Sequence, residues 1–189
     1  MIYRSKRVVL PVALCIAGVF AFLSLLSPAG AIAGSGGGIY WTNNTNWTTS
    51  ACYLHSDTIL SLNSAMATYR GTDLNGNHTS SCSYSKDLRV HDYNYGDTGW
   101  LGIAECVGST YGSDPNAVCN SHRVRINERN ITPYNATVAR SVYNLCHEVG
   151  HAVGLRHWNN NGTCLQKWLD GGSSTTITNT ERNQLNAHY

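Results

Sequence analysis

The chain contains no C-x-x-C pair, no internal repeat and no block of like charge. Without thiols at that spacing, a thiolate metal site has little support. With no repeat or composition shift there is no sign of a second domain. Even the formal excess of +2 belongs to one end of the chain. Arg4, Lys6 and Arg7 sit in an N-terminal leader, and removing it takes the 13 basic residues to 10, against 11 acidic ones. The remainder carries −1, with no basic run to hold nucleic acid or an acidic membrane surface.

The leader has a recognisable order. Its basic residues precede an apolar run from Val8 to Leu26, and Ala31-Ile32-Ala33 follows as an A-x-A cleavage pattern. A signal peptide over residues 1–33 is expected. An uncleaved anchor is the competing reading, because 19 mostly apolar residues can just span a bilayer. Pro11, Gly18 and the cleavage pattern favour removal, leaving residues 34–189 as one secreted, extracellular domain with no membrane attachment. Those 156 residues suffice for one hydrophobic core. Gly34 to Gly38 reads as a flexible stub and Tyr40-Trp41 as the start of ordered sequence, so no long pro-segment is expected.

Cysteine usage agrees with export. Cys15 leaves with the leader, and Cys52, Cys82, Cys106, Cys119, Cys146 and Cys164 remain. An even set in an exported chain reads as a disulfide framework, with about 15 connectivities open.

Periodicity outlines the elements. Ile59, Leu62, Met66 and Tyr69 recur at steps of three and four, predicting a helix from about Asp57 to Tyr69, capped by Ser56 or Asp57. From Lys86 to Asn127 the pattern shifts to short strands. Leu88 and Val90 alternate with polar neighbours, as do Val124 and Ile126 with Arg123 and Arg125. A strand interrupted by glycine is expected between Gly99 and Val107. A second helix starts near Thr132-Pro133 or Asn135 and runs to about Val153, with Val138, Val142, Leu145 and Val149 as its apolar stripe. Thr178-Asn179-Thr180-Glu181 is a capping box opening a third helix, anchored by Leu185 and Tyr189. The fold class is α+β.

One segment carries chemistry: His147-Glu148-Val149-Gly150-His151-Ala152-Val153-Gly154-Leu155-Arg156-His157. Residues four apart share a helix face, so His147 and His151 project together, opposite the apolar stripe. Glu148 lies about 100° round the helix from His147, close to a metal held there yet off its ligand axis. That position suits a general base acting on water. On a continuing helix His157 would point away, so the chain must turn back, and Gly154 tolerates the positive φ that ends a helix. Three neutral imidazoles leave zinc one open position, the arrangement of a catalytic rather than a structural site. With 18 Gly and 8 His in the chain, chance places both extra residues at their offsets about 0.4% of the time.

Through His147-Glu148-x-x-His151-x-x-Gly154-x-x-His157 the sequence resembles the metzincin zinc metallopeptidases. The motif covers eleven residues, and the order of elements around it is similar to that family's catalytic domain. The short, cysteine-bearing form looks most like small secreted bacterial members. The resemblance implies a twisted mixed sheet with a first helix, an active-site helix and a C-terminal helix. It also implies an endopeptidase in which Zn2+ is held by His147, His151 and His157 and Glu148 is catalytic. Protein or peptide substrates follow, with another protein as possible inhibitor and a monomeric chain. A catalytically inactive, zinc-stabilised binding module is the alternative, and the intact Glu148 favours the enzyme.

Two features depart from the family's pattern. No methionine follows Met66, so Leu165 in Thr163-Cys164-Leu165 is expected to replace the methionine of the turn below the metal. Trp158 follows the third histidine where known subfamilies carry other residues, and Lys167 stands where some members place a tyrosine ligand. If Leu165 lies beneath the histidines, Cys164 must come close to Cys146, and a bridge between them is expected, with Cys106 or Cys119 as alternative partners.

Weaker signals remain. Asp73, Asn75 and Asn77 imitate the start of a calcium loop, but His78 stands where glycine is needed, so a polar turn is expected. His55, His78, His91, His122 and His188 have no ligand-like spacing and read as surface or core residues.

Overall fold

The computed structural model describes residues 41–43, 46–52, 54–74, 76–79, 81–111, 117–131, 138–159, 162–167 and 174–189. The expected signal peptide with its cleavage pattern and the expected start of the second helix lie outside them. Among the described residues no helix is long and apolar enough to cross a membrane.

The strands are β1 (Trp41–Thr42), β2 (Thr48–Cys52), β3 (Asn77–Thr79), β4 (Leu88–Tyr93), β5 (Gly102–Cys106), β6 (Thr110–Tyr111), β7 (Val118–Cys119) and β8 (His122–Asn127). The helices are α1 (Ser56–Tyr69), the single turn α2 (Glu128–Ile131), α3 (Val138–Ala152) and α4 (Asn179–His188). Five strands form the main sheet in the order β3-β2-β4-β8-β5, and β1, β7 and β6 form a small second one. All neighbours in the main sheet are parallel except β5, which runs antiparallel to β8. Parallel neighbours require crossovers, and α1 supplies the one after β2.

Strand alternation decides which face of the sheet is covered. β4 buries Leu88, Val90 and Asp92, and β8 buries His122, Val124 and Ile126. The register sets Val90 opposite Val124 and Asp92 opposite Ile126, so both strands present one apolar surface. Onto it pack Leu62, Ala65, Met66 and Tyr69 of α1 and Val142, Leu145 and Val149 of α3. Burying each such leucine contributes about 1.5–3 kcal/mol. The other face carries Arg123 and Arg125, which share the Glu105 carboxylate, Arg125 at 2.7 Å and Arg123 at 3.0 Å. This cross-strand pairing offsets the repulsion between two like charges on one strand.

The α+β reading holds, with two corrections. The cap of α1 is not Ser56 or Asp57 but His55, whose backbone N–H donates to the Asp92 carboxylate at 3.0 Å. His55 makes no side-chain cap bond to the first turn, and the strand end accepts only the cap residue's own N–H. Secondly, residues 142–150 of α3 are buried on the face opposite the expected apolar stripe as well as along it. β5 and the segment around Cys164 cover that opposite face.

α4 has the expected capping box, and Leu185 is fully buried. Its Glu181 carboxylate, 1% exposed, also accepts a 2.7 Å bond from the Thr163 hydroxyl, which ties α4 to the Cys164 segment. Three disulfides close the framework: Cys52–Cys82, Cys106–Cys119 and the expected Cys146–Cys164, the last with Cα atoms 5.9 Å apart.

Candidate metal centre

α3 carries His147 and His151 on one face, as its 3.6-residue turn requires. It ends in a Schellman motif, with Leu155 N–H donating to Gly150 O at 2.9 Å and Gly154 N–H to His151 O at 3.1 Å. Gly154 has φ +92°, where a side chain would be strained, and a Cβ there would overlap the Trp41 ring. Past this turn, Trp158 pairs with Gln166 in a short parallel bridge, and Trp158 N–H donates to Leu165 O at 2.8 Å. The bridge and the Cys146–Cys164 disulfide together hold the returning segment against α3.

The result brings the three histidines to one point. Nε2 of His147 lies 3.0 Å from those of His151 and His157, and the remaining edge is 3.2 Å. His147 Nδ1 donates to Cys164 O and His151 Nδ1 to Leu155 O, each at 2.8 Å. A carbonyl only accepts, so both Nδ1 atoms carry the proton and both Nε2 atoms present lone pairs. One proton on His157 could serve one edge of the triangle, leaving lone pairs facing each other elsewhere. A cation resolves that conflict. Ligands about 2.0–2.1 Å from a tetrahedral zinc stand about 3.3–3.4 Å apart, close to the observed edges. The donor set therefore fits zinc.

Electrostatics agree with neutral imidazoles. Burial, then the charge of His157, lowers His147 to about 4, against a weaker opposing effect of its Cys164 hydrogen bond. Burial likewise takes His151 well below 6.5, and burial with the nearby Lys167 lowers His157. Glu148, 6% exposed, is pushed up to about 8 by burial, although a backbone hydrogen bond at Ala104 pulls the other way. A cation at the three nitrogens would draw it back down.

A cavity of about 420 Å³ opens beside this group, lined by His147, Glu148, Gly102, Tyr143 and Lys167 among others. Gly102 leaves the room that Glu148 occupies, since a Cβ there would lie 2.6 Å from Glu148 Cγ. Leu165 is fully buried, and its methyl carbons lie 2.9 Å from where a Gly150 Cβ would be. It packs against the histidine helix from the segment that also supplies His147's acceptor. Tyr143 Oη holds that segment by donating to Gln166 O at 2.7 Å.

All four candidate site residues thus lie together. Sequence reasoning missed Gly150, although a glycine inside a helical pattern is itself a signal of close approach. It also passed over His55, which meets Asp92 and Glu128. Those three residues are remote in sequence and no spacing marks them.

No protein-family model matches the sequence, and no curated protein matches it. Solved structures do resemble the fold. Archaemetzincin from Methanopyrus kandleri aligns over 77% of this chain and 97% of its own, with a TM-score of 0.51 at 10% identity. Archaemetzincin from Archaeoglobus fulgidus, complexed with malonate, covers 72% of this chain and 98% of its own, with a TM-score of 0.46 at 14% identity. At these identities the likeness is one of fold.

Proposed function

We propose that this chain is a secreted zinc endopeptidase in which His147, His151 and His157 hold the metal and Glu148 is the general base. The carrying observation is the triangle of three Nε2 atoms beside a buried carboxylate that lines an open cavity. The fold likeness to the Methanopyrus kandleri archaemetzincin supports the metzincin-like class. Zinc, when bound, supplies Lewis acidity toward a scissile carbonyl and makes water easier to deprotonate.

The chain's own residues do the rest. The carbonyls of Cys164 and Leu155 fix two imidazoles in the ligating tautomer. Glu148 takes the proton from the attacking water and passes it to the leaving amine. Gly102 leaves the carboxylate the room it occupies, and the cavity that Glu148 and His147 line gives a peptide room to approach. Residues 1–33 are in this reading a removed signal peptide and residues 34–189 the catalytic domain, active outside the cell on protein or peptide substrates.

Zinc content and cleavage of an unfolded protein substrate, measured on the mature chain and on Glu148→Gln, test the reading. The variant should keep its zinc, because the carboxylate is no ligand, and lose about 10²–10⁴-fold in activity. Near-normal turnover with retained metal would remove Glu148 from the mechanism. Zinc binding by the parent with no cleavage of any substrate would favour the zinc-stabilised binding module.

A further inference from the structure

A second convergence of ligating side chains involves none of the residues of the histidine triangle. His55 at the start of α1, Asp92 in β4 and Glu128 in α2 bring one donor atom each to within 4.8 Å of one another. We propose that these three side chains form a second divalent-cation site, with zinc as the best-fitting ion, clamping α1 to the adjoining ends of β4 and β8.

The sheet assembles the site. β4 and β8 run parallel with Tyr93 opposite Asn127, so Asp92 and Glu128 arrive at the same end of the sheet. Asn127 then fixes the exit from β8. Its amide donates to Gly96 O and Thr98 Oγ1, and its oxygen accepts from the backbone N–H groups of Tyr95 and Arg129. Glu128 follows from a junction held on both sides.

A histidinium paired with both carboxylates accounts for only part of the arrangement. His55 Nδ1 touches Glu128 Oε1 and also lies 3.4 Å from Asp92 Oδ2. Its one N–H favours Glu128 and reaches Asp92 only at the long edge of hydrogen bonding, whereas a cation can bind all three groups at once. Helix capping explains one oxygen of Asp92, since Oδ2 accepts the His55 backbone N–H. Its other oxygen, Oδ1, is buried and has no donor among the described residues, on a side chain with no exposed surface. A buried carboxylate oxygen left without a donor is costly. His55 and Glu128 side chains are 71% and 21% exposed, which gives an ion a way in. One imidazole with two carboxylates is a donor set for zinc, while calcium and magnesium prefer oxygen alone.

Zinc per chain after chelator stripping and equilibrium dialysis tests this on the mature protein. The parent should hold one more zinc than either Glu128→Gln or His55→Gln, and both variants should keep proteolytic activity. Retention of the parent's full zinc content by either variant overturns the proposal, whatever calcium does. His151→Ala separates this site from the histidine triangle. It should still bind zinc and melt at a higher temperature when zinc is added, and that rise should vanish in His151→Ala/Glu128→Gln. A rise that persists in the double variant also overturns the proposal. Unchanged zinc in His151→Ala alone would count against the triangle and not against this site.

Discussion

At the scale of single residues, protonation of the metal-free chain follows from burial. His147, His151 and His157 are all held below 6.5, His147 at about 4, so between those values the unfolded chain binds protons that the folded chain refuses. Their contribution to stability is complete above about 6.5 and is lost as pH falls through that window. Glu148 acts with the opposite sign. Raised to about 8, it favours the folded state at low pH and withdraws that support as pH climbs from about 4.5 through 8. Among these four groups, three imidazoles outweigh one carboxyl below pH 6.5, and only the carboxyl acts above it. A chelator-stripped sample should therefore melt highest near pH 6.5, with lower Tm at both pH 5 and pH 8.5. Calorimetry across that range checks this, and a Tm that keeps rising toward pH 5 would contradict it.

Among the elements, the end of α3 carries the most risk. Gly154→Ala places a side chain at φ +92° and against Trp41, which itself stacks on His188 with ring centroids 3.7 Å apart. The left-handed conformation alone costs about 1–2 kcal/mol, and displacement of Trp41 disturbs α4 as well. His157 follows three residues later, so zinc affinity should fall together with Tm. Gly96→Ala is the control, since Gly96 has φ +78° with no atom within 4 Å of a new Cβ. It should lose only about 1 kcal/mol, by strain alone, and leave zinc binding unchanged. Equal effects of the two substitutions on zinc would show that the turn does not position the third histidine.

For the molecule as a whole, the Cys146–Cys164 bridge joins the histidine helix to the segment beneath it and closes a loop of 18 positions. Chain entropy predicts about 3 kcal/mol for a loop of this size. The loop contains Gly154 and His157, and its far end supplies the carbonyl that orients His147. Cys146→Ser/Cys164→Ser should lower Tm and weaken zinc binding together. A variant that is less stable yet binds zinc as tightly as the parent would show that the Trp158–Gln166 bridge and the Thr163–Glu181 bond hold the site without the disulfide.

Local geometry made part of this legible in advance. His147 and His151 share a face because any helix turns once in 3.6 residues, Gly154 ends the helix because few residues adopt its φ, and Thr178 with Glu181 forms a cap within four positions. Such features depend on neighbours in the chain, so the sequence alone determined them. Distant contacts belonged to the tertiary structure. The acceptors for His147 and His151, the burial that raises Glu148 and the covering of the histidine face all come from segments brought together by packing. The cap of α1 falls at His55 rather than at Ser56 or Asp57, and its N–H is held by Asp92 across 37 positions, because a buried strand end delivers a carboxylate to the helix start. The same parallel register carries Glu128 to His55, a meeting that no spacing along the chain encodes.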